Sequence, residues 1–123
     1  MVTKRKLIEK SCDSRNGRLL DVGSGTGYFA GMMKDHGWDV TGLEPDAEAR
    51  ALAVKEYGIE LLDGEKINSL PLKSFDAITL WHVLEHVDDV TSYLQLLSSL
   101  IRDDGRIFIA VPNYTSYAAQ YAL

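Results

Sequence analysis

Three glycines at alternate positions, Gly23, Gly25 and Gly27, constrain the fold of this 123-residue chain more than any other feature. The short apolar run before them, Arg18–Val22, predicts a buried strand, and the apolar spacing after them predicts a helix. Glycine lets the backbone turn sharply, and it lets a ligand approach main-chain atoms that a Cβ would shield. The segment is therefore interpreted as a strand, a ligand-binding turn and a helix.

An acidic residue, Glu44, ends the second predicted strand, Asp39–Leu43. It follows the first glycine by about 20 positions, where a βαβ unit presents a carboxylate to ribose hydroxyls. This spacing predicts a site for a cofactor that contains adenosine. A dinucleotide fold needs G-x-G-x-x-G with a small last residue, and here that position is Tyr28, which fits poorly.

The chain instead has Asp21-Val22 before G-x-G-x-G, and three further blocks follow in order, at residues 42–45, 74–87 and 104–113. Together these blocks resemble the class I S-adenosylmethionine-dependent methyltransferases, and they span about residues 18 to 113. The segment Leu84-Glu85-His86-Val87 is similar to one in the ubiquinone-biosynthesis-like and related small-molecule methyltransferases.

The alternation of predicted strands and helices indicates an α/β fold with a parallel sheet and right-handed crossovers. The resemblance implies a doubly wound, Rossmann-like sheet with strand order 3-2-1-4-5. The third, fourth and fifth strands are then expected at residues 59–62, 75–81 and 106–111. The family sheet has two more strands that find no counterpart here. Residues 1–123 are therefore interpreted as a single methyltransferase domain that is incomplete at its C-terminal side.

The resemblance also implies cofactor contacts. Main-chain groups of Gly23 and Gly25 are expected to meet the methionyl tail, and Glu44 to accept both ribose hydroxyls. Asp21 is expected to orient the glycine turn or to accept from the tail ammonium. Trp81 is expected near the cofactor, with a core tryptophan as the alternative, and Asp63 near adenine, with plain solvation as the alternative. The full predicted set is Asp21, Gly23, Gly25, Glu44, Pro45, Asp63, Gly64 and Trp81.

Two histidines, His82 and His86, stand just after the fourth predicted strand. Histidine takes up a proton near neutral pH, so either one could serve as the base for an oxygen acceptor. The alternative is that Glu85 and His86 fix the turn into the next helix. A metal site is not predicted, because nothing else in the chain completes a ligand set. The catalytic residue therefore stays open.

Composition limits the partners. The net charge of −5 argues against nucleic acid, because nucleic-acid binders present a basic face. No apolar run approaches the length of about 18 residues that suggests a membrane span. The single cysteine, Cys12, cannot form an internal disulfide, which predicts a cytoplasmic location. A basic N-terminal cluster that includes Lys4 is interpreted as a solvated helix face, with a binding patch as the alternative.

The predicted function is methyl transfer from S-adenosylmethionine to a small-molecule acceptor by in-line displacement. One alternative is a nicotinamide-dependent oxidoreductase, in which Glu44 would still serve the ribose. Another is a non-catalytic cofactor-binding or dimerisation remnant. A homodimer is predicted through the exposed edge of the fifth strand or through Tyr114, Tyr117 and Tyr121, whose spacing favours one helical face.

Overall fold

A computed structural model describes residues 3–12, 17–81, 88–110 and 118–122 of the chain. Helices and strands alternate along most of it. In chain order they are α1 (Lys4–Cys12), β1 (Arg18–Val22), α2 (Tyr28–Asp35), β2 (Asp39–Leu43), α3 (Ala47–Tyr57), a 3-10 helix (Gly64–Ser69), β3 (Phe75–Trp81), α4 (Val90–Leu100), β4 (Ile101–Ala110) and β5 (Ala118–Ala122).

The five strands form one sheet with the order β2-β1-β3-β4-β5. The first four strands are parallel, and β5 runs antiparallel to β4. After β1 the chain moves outward to β2 and then returns to the other side of β1 to form β3. The direction of winding therefore reverses between β1 and β3. In open α/β sheets, ligands bind at the carboxyl ends of the strands beside such a reversal.

The central strands are apolar because helices cover both faces of the sheet. On one face, Leu20 and Ile78 pack in a cluster with α4 and with Ile67 of the 3-10 helix. On the other face, Leu19 packs with α1, α2 and Trp38. The predicted bounds of β1, β2 and β3 are confirmed.

The prediction of a third strand at residues 59–62 is wrong. Only one parallel bridge remains, between Leu43 and Leu62, on the side of β2 away from β1. The segment thus lies where the order 3-2-1-4-5 expects it. Pairing stops there because the chain turns at Asp63, whose carboxylate accepts from the Glu65 N–H and caps the 3-10 helix. The segment after Leu62 therefore forms a 3-10 helix.

The far edge of the sheet also differs from prediction. The fifth predicted strand is β4, which begins earlier than expected, at Ile101, and its register against β3 shifts between Phe75 and Ala77. Its edge is not exposed, because β5 pairs with it. Tyr121 lies in this strand and not on a helix, while Tyr114 and Tyr117 lie outside the described residues. Alanine-rich sequence favours helix intrinsically, but strand pairing overrides that preference.

Cys12, at the end of α1, is half-buried, and its Sγ donates to the Asp76 carbonyl at 3.6 Å. Burial, and next the negative charge of Asp76, raise the pKa of the Cys12 thiol to about 11. Because only the thiolate reacts, iodoacetamide should alkylate the folded chain at least about a hundredfold more slowly near pH 8 than the urea-unfolded chain. Equal rates in the two states would contradict this burial.

Among the described residues, none of the helices combines the length and the apolar character that crossing a membrane requires.

Candidate functional site

The glycine turn, residues 23–27, connects β1 to α2 at the carboxyl edge of the sheet. Its three glycines all have positive φ, of 75° at Gly23, 60° at Gly25 and 89° at Gly27. Main-chain N–H groups of Gly23 and Ser24 both donate to the Leu43 carbonyl, at 2.8 and 2.9 Å. The turn is therefore tied to the end of β2, beside the predicted acidic residue.

Two glycines of the turn are required for different reasons. A Cβ built on Gly27 would lie 2.8 Å from the Ala53 Cβ, so Gly27 allows α2 to pack against α3. A Cβ built on Gly25 meets nothing within 4 Å, and it would project into open space. Gly25 therefore leaves room at the cleft and has no packing role of its own.

Glu44 meets the glycine turn directly. One carboxylate oxygen accepts from the Gly25 N–H at 2.7 Å, and the other accepts from the Asp46 N–H at 3.0 Å. Arg50 donates to the carbonyls of Glu44 and Pro45, at 2.7 and 2.9 Å, and so holds this corner. The structure thus places a carboxylate of fixed orientation at the mouth of the turn.

The loop after residue 62 approaches the same corner. A Cβ built on Gly64 would lie 3.8 Å from the Pro45 Cβ, which places both predicted residues together. An open depression of about 500 Å³ is lined by Asp63, Glu65, Lys66, Asn68 and Ser69. One oxygen of Asp63 accepts from the Glu65 N–H, which fixes the carboxylate at the start of the 3-10 helix.

Asp21 lies buried at the end of β1, and Thr79 pairs with it across the β1–β3 register. The Thr79 hydroxyl donates to Asp21 Oδ1 at 2.7 Å. Burial raises the pKa of Asp21 to about 6, against the lowering effects of the hydrogen bonds from Thr79 and Ser24 and of the Lys4 charge. The site therefore contains a carboxyl group that titrates well above its usual range.

Because its folded-state pKa is raised from 3.8 to about 6, Asp21 contributes stability below about pH 4 that is lost as the pH rises through 6. Asp21→Asn does not titrate. The unaltered chain should therefore lose stability from about pH 4 to pH 8, and Asp21→Asn should not. The difference in free energy of unfolding between the two proteins should shift by on the order of 2–3 kcal/mol in favour of Asp21→Asn over this range. Urea unfolding of both proteins at the two pH values measures this shift, and a pH-independent difference would contradict it.

Trp81 ends β3 on the same face of the sheet as Asp21 and Thr79. Phe29 of α2 packs edge-on against its ring, with centroids 5.3 Å apart. The Lys4 ammonium lies 4.5 Å from the ring centroid. Trp81 is buried, and among the described residues nothing accepts a hydrogen bond from its indole Nε1. The tryptophan is thus a buried residue at the carboxyl end of β3.

Lys4 is the residue that the sequence analysis missed. It was interpreted as part of a solvated face, and its side chain is exposed, yet it faces both Trp81 and Asp21. The basic N-terminal cluster was the available signal. Nothing in the pattern singles out the one lysine that reaches the end of β3, because the crossing of α1 over the sheet is a tertiary feature.

The candidate bases, His82 and His86, lie outside the described residues together with Glu85. Within the described part of the chain, no group of three or more His, Cys, Asp or Glu side chains is arranged to hold a metal ion.

The described groups form two chemically different ends. At one end, the Glu44 carboxylate suits hydroxyl groups, because each carboxylate oxygen can accept more than one hydrogen bond, so those from the Gly25 and Asp46 N–H groups do not exhaust it. At the other end, the buried Asp21 carboxylate suits a cation through its charge, while the Trp81 ring already has the Lys4 ammonium 4.5 Å from its centroid. Lys4 adds a positive charge there, which suits a carboxylate. The carboxyl edge of the sheet therefore presents an acceptor for hydroxyl groups at one end and groups of both charges at the other.

Comparison with known proteins agrees with this chemistry. The family described as "Methyltransferase domain" matches residues 3–123. The ubiquinone biosynthesis O-methyltransferase of Aeromonas salmonicida is 35% identical over 115 residues, which cover 87% of this chain and 48% of that protein. The chain thus spans about half the length of this relative.

Solved structures share the fold. A methyltransferase from Methanococcus maripaludis, described as S-adenosyl-L-methionine-dependent, superposes with a TM-score of 0.77 at 16% identity, over 86% of this chain and 52% of that one. A SAM-dependent methyltransferase from Archaeoglobus fulgidus gives a TM-score of 0.71 at 25% identity, over 92% and 55% of the two chains.

Proposed function

The chain belongs to the methyltransferase domain family, and on that premise we propose that it binds S-adenosylmethionine and transfers the methyl group to a small molecule. The binding site is the cleft at the carboxyl ends of β1, β2 and β3. The observation that carries the proposal is the contact between the Glu44 carboxylate and the Gly25 N–H, at 2.7 Å, beside space that only a glycine leaves open.

Each end of the cofactor has matching groups. Glu44 accepts the ribose hydroxyls, which are held as charge-assisted hydrogen bonds. Pro45, Asp63 and Gly64 form the side toward adenine, supported by the proximity of Pro45 and Gly64. The remaining proposed contacts serve the methionyl end and are Asp21, Gly23, Gly25, Lys4 and Trp81.

When bound, S-adenosylmethionine supplies a methyl group made electrophilic by the sulfonium. The chain contributes alignment, because Glu44 and the glycine turn fix the nucleoside while Asp21 fixes the ammonium. Such positioning supplies up to about 7–11 kcal/mol of barrier reduction in an in-line displacement. Trp81 and Phe29 shield the methionyl end from water with their apolar surfaces.

Transfer to a hydroxyl, a thiol or an amine releases a proton in each case, but a neutral hydroxyl is the hardest of the three to activate, so a base contributes most for that acceptor. His82 and His86 are the proposed bases, and their contribution would be about 10²–10⁴-fold. The name of the Aeromonas salmonicida relative, an O-methyltransferase, makes hydroxyl-bearing small molecules the first acceptors to test.

The experiment is a calorimetric titration with S-adenosylhomocysteine and, separately, with NAD. We expect S-adenosylhomocysteine alone to bind, and binding of NAD alone would overturn the proposal in favour of the oxidoreductase alternative, which the comparisons do not support. Incubation with labelled S-adenosylmethionine and a pool of phenolic metabolites then tests transfer. Binding without any transfer would favour the non-catalytic alternative.

The predicted assembly and location remain proposals. The edge of the fifth predicted strand is covered by β5, so a homodimer through that edge is not proposed again. A homodimer through the tyrosine-rich C-terminal segment stays a prediction, as do the single-domain organisation of residues 1–123 and the cytoplasmic location.

A further inference from the structure

We propose that Thr79 is a positioning residue, whose hydroxyl keeps the Asp21 carboxylate oriented and ionised to receive the cofactor ammonium. The inference rests on the proposed function, and it adds a role for a residue that touches no part of the ligand itself. In consequence, the affinity for the cofactor would depend on pH, and the Thr79 hydrogen bond would determine the pH at which the affinity changes.

The geometry begins with the register of the two central strands. Asp21 and Thr79 are direct partners across β1 and β3, and both side chains are directed to the face covered by α1 and α2. Thr79 is 0% and Asp21 1% exposed, so water does not compete for their bond. A β-branched side chain has few rotamers, which holds the hydroxyl in place. The donor is thus rigid as well as close, at 2.7 Å.

The bond engages one oxygen of the carboxylate only. The Thr79 hydroxyl donates to Oδ1, and the Ser24 hydroxyl donates to the main-chain carbonyl of Asp21, at 2.9 Å. Thr79 therefore leaves the second carboxylate oxygen, Oδ2, to other donors, and Ser24 is close enough to lower the pKa of Asp21 as well. Since a hydroxyl has a single proton to donate, Thr79 orients the carboxylate without occupying the second acceptor.

The charges around Asp21 have opposite effects on its ionisation. Among the described residues, Lys4 on α1 favours the charged form, and Glu44 at the end of β2 opposes it. Burial is the largest influence and brings the pKa of Asp21 to about 6 even with the Thr79 bond in place. Without that bond, the pKa should rise toward neutrality, and a neutral carboxyl binds an ammonium poorly.

The test is the pH dependence of S-adenosylhomocysteine affinity, from about pH 5 to pH 8, for the unaltered chain, Thr79→Val and Thr79→Ser. For the unaltered chain we expect the affinity to rise as the pH passes through about 6, where Asp21 ionises. Valine removes the donor but keeps the shape, so its midpoint should move up by about one pH unit, with a several-fold loss near pH 6.5 that recovers by about pH 8. Serine retains a hydroxyl and should restore the original midpoint.

A merely structural role for Thr79 would weaken binding equally at every pH, and this result would overturn the inference. Superimposable curves for Thr79→Val and the unaltered chain would overturn it as well. If the unaltered chain binds no S-adenosylhomocysteine at any pH, the proposed function fails first and the inference with it. If Thr79→Val does not fold, Thr79→Cys replaces it, because the weak S–H donor should give a smaller shift in the same direction.

Discussion

Glu44→Ala is expected to weaken S-adenosylhomocysteine binding by about 1–3 kcal/mol, measured by calorimetric titration. The carboxylate is the proposed acceptor for both ribose hydroxyls. It also accepts from the Gly25 N–H at 2.7 Å and from the Asp46 N–H at 3.0 Å, so alanine removes the ligand contact and the tie that positions the turn. The loss should therefore lie toward the upper end of this range.

A matched control is available on α3. Glu56 is exposed, and Glu56→Ala changes the net charge by the same amount without altering the cleft. Its affinity should match that of the unaltered chain. Glu44→Gln keeps one acceptor oxygen but loses the charge, so an intermediate loss is expected. If Glu44→Ala binds as tightly as Glu56→Ala, the ribose lies elsewhere.

Gly25→Ala is expected to lower the affinity for S-adenosylhomocysteine by at least about tenfold, or about 1.4 kcal/mol. The added Cβ meets no protein atom within 4 Å, so it would not clash within the protein. It would instead occupy space that the proposed ligand needs. The φ of 60° disfavours alanine at this position, and the free energy of unfolding should fall by about 1 kcal/mol.

Gly58→Ala separates these two effects. Gly58 ends α3 with a φ of 62°, and a Cβ there also meets nothing within 4 Å. The backbone strain should therefore be the same, and the added Cβ meets no atom of the glycine turn, although the neighbouring Ile59 packs near Gly27. We expect equal losses of stability in the two variants but a loss of affinity in Gly25→Ala alone. Equal affinities would show that the open space beside Gly25 receives no ligand.

The central fold could be predicted because its signals are local. The strand-like runs of β1, β2 and β3 begin and end at residues that the sequence itself marks, and these bounds match the structure. Pairing of weaker segments depends on neighbours distant in sequence. Residues 59–62 have the composition of a strand but keep only the Leu43–Leu62 bridge, and β5 consists largely of alanine, which favours helix.

The candidate site shows the same division. Asp21 and Glu44 stand at strand ends, so topology alone brings them to one edge of the sheet; the spacing predicted Glu44, and the family resemblance predicted Asp21. The position of Lys4 over Trp81 depends on how α1 crosses the sheet, and the Asp21–Thr79 bond depends on register. Neither of these is written in a local pattern. Both depend on tertiary structure, the first on the packing of α1 and the second on the pairing of β1 with β3.

The most direct measurement is a crystal structure of the chain with S-adenosylhomocysteine bound, read at the distance from the Glu44 carboxylate to the two ribose hydroxyls. We predict hydrogen bonds of about 2.5–2.8 Å to both, with the amino-acid end of the ligand beside Asp21. A ribose bound away from Glu44, or a ligand bound elsewhere than at the carboxyl ends of β1, β2 and β3, would contradict the account.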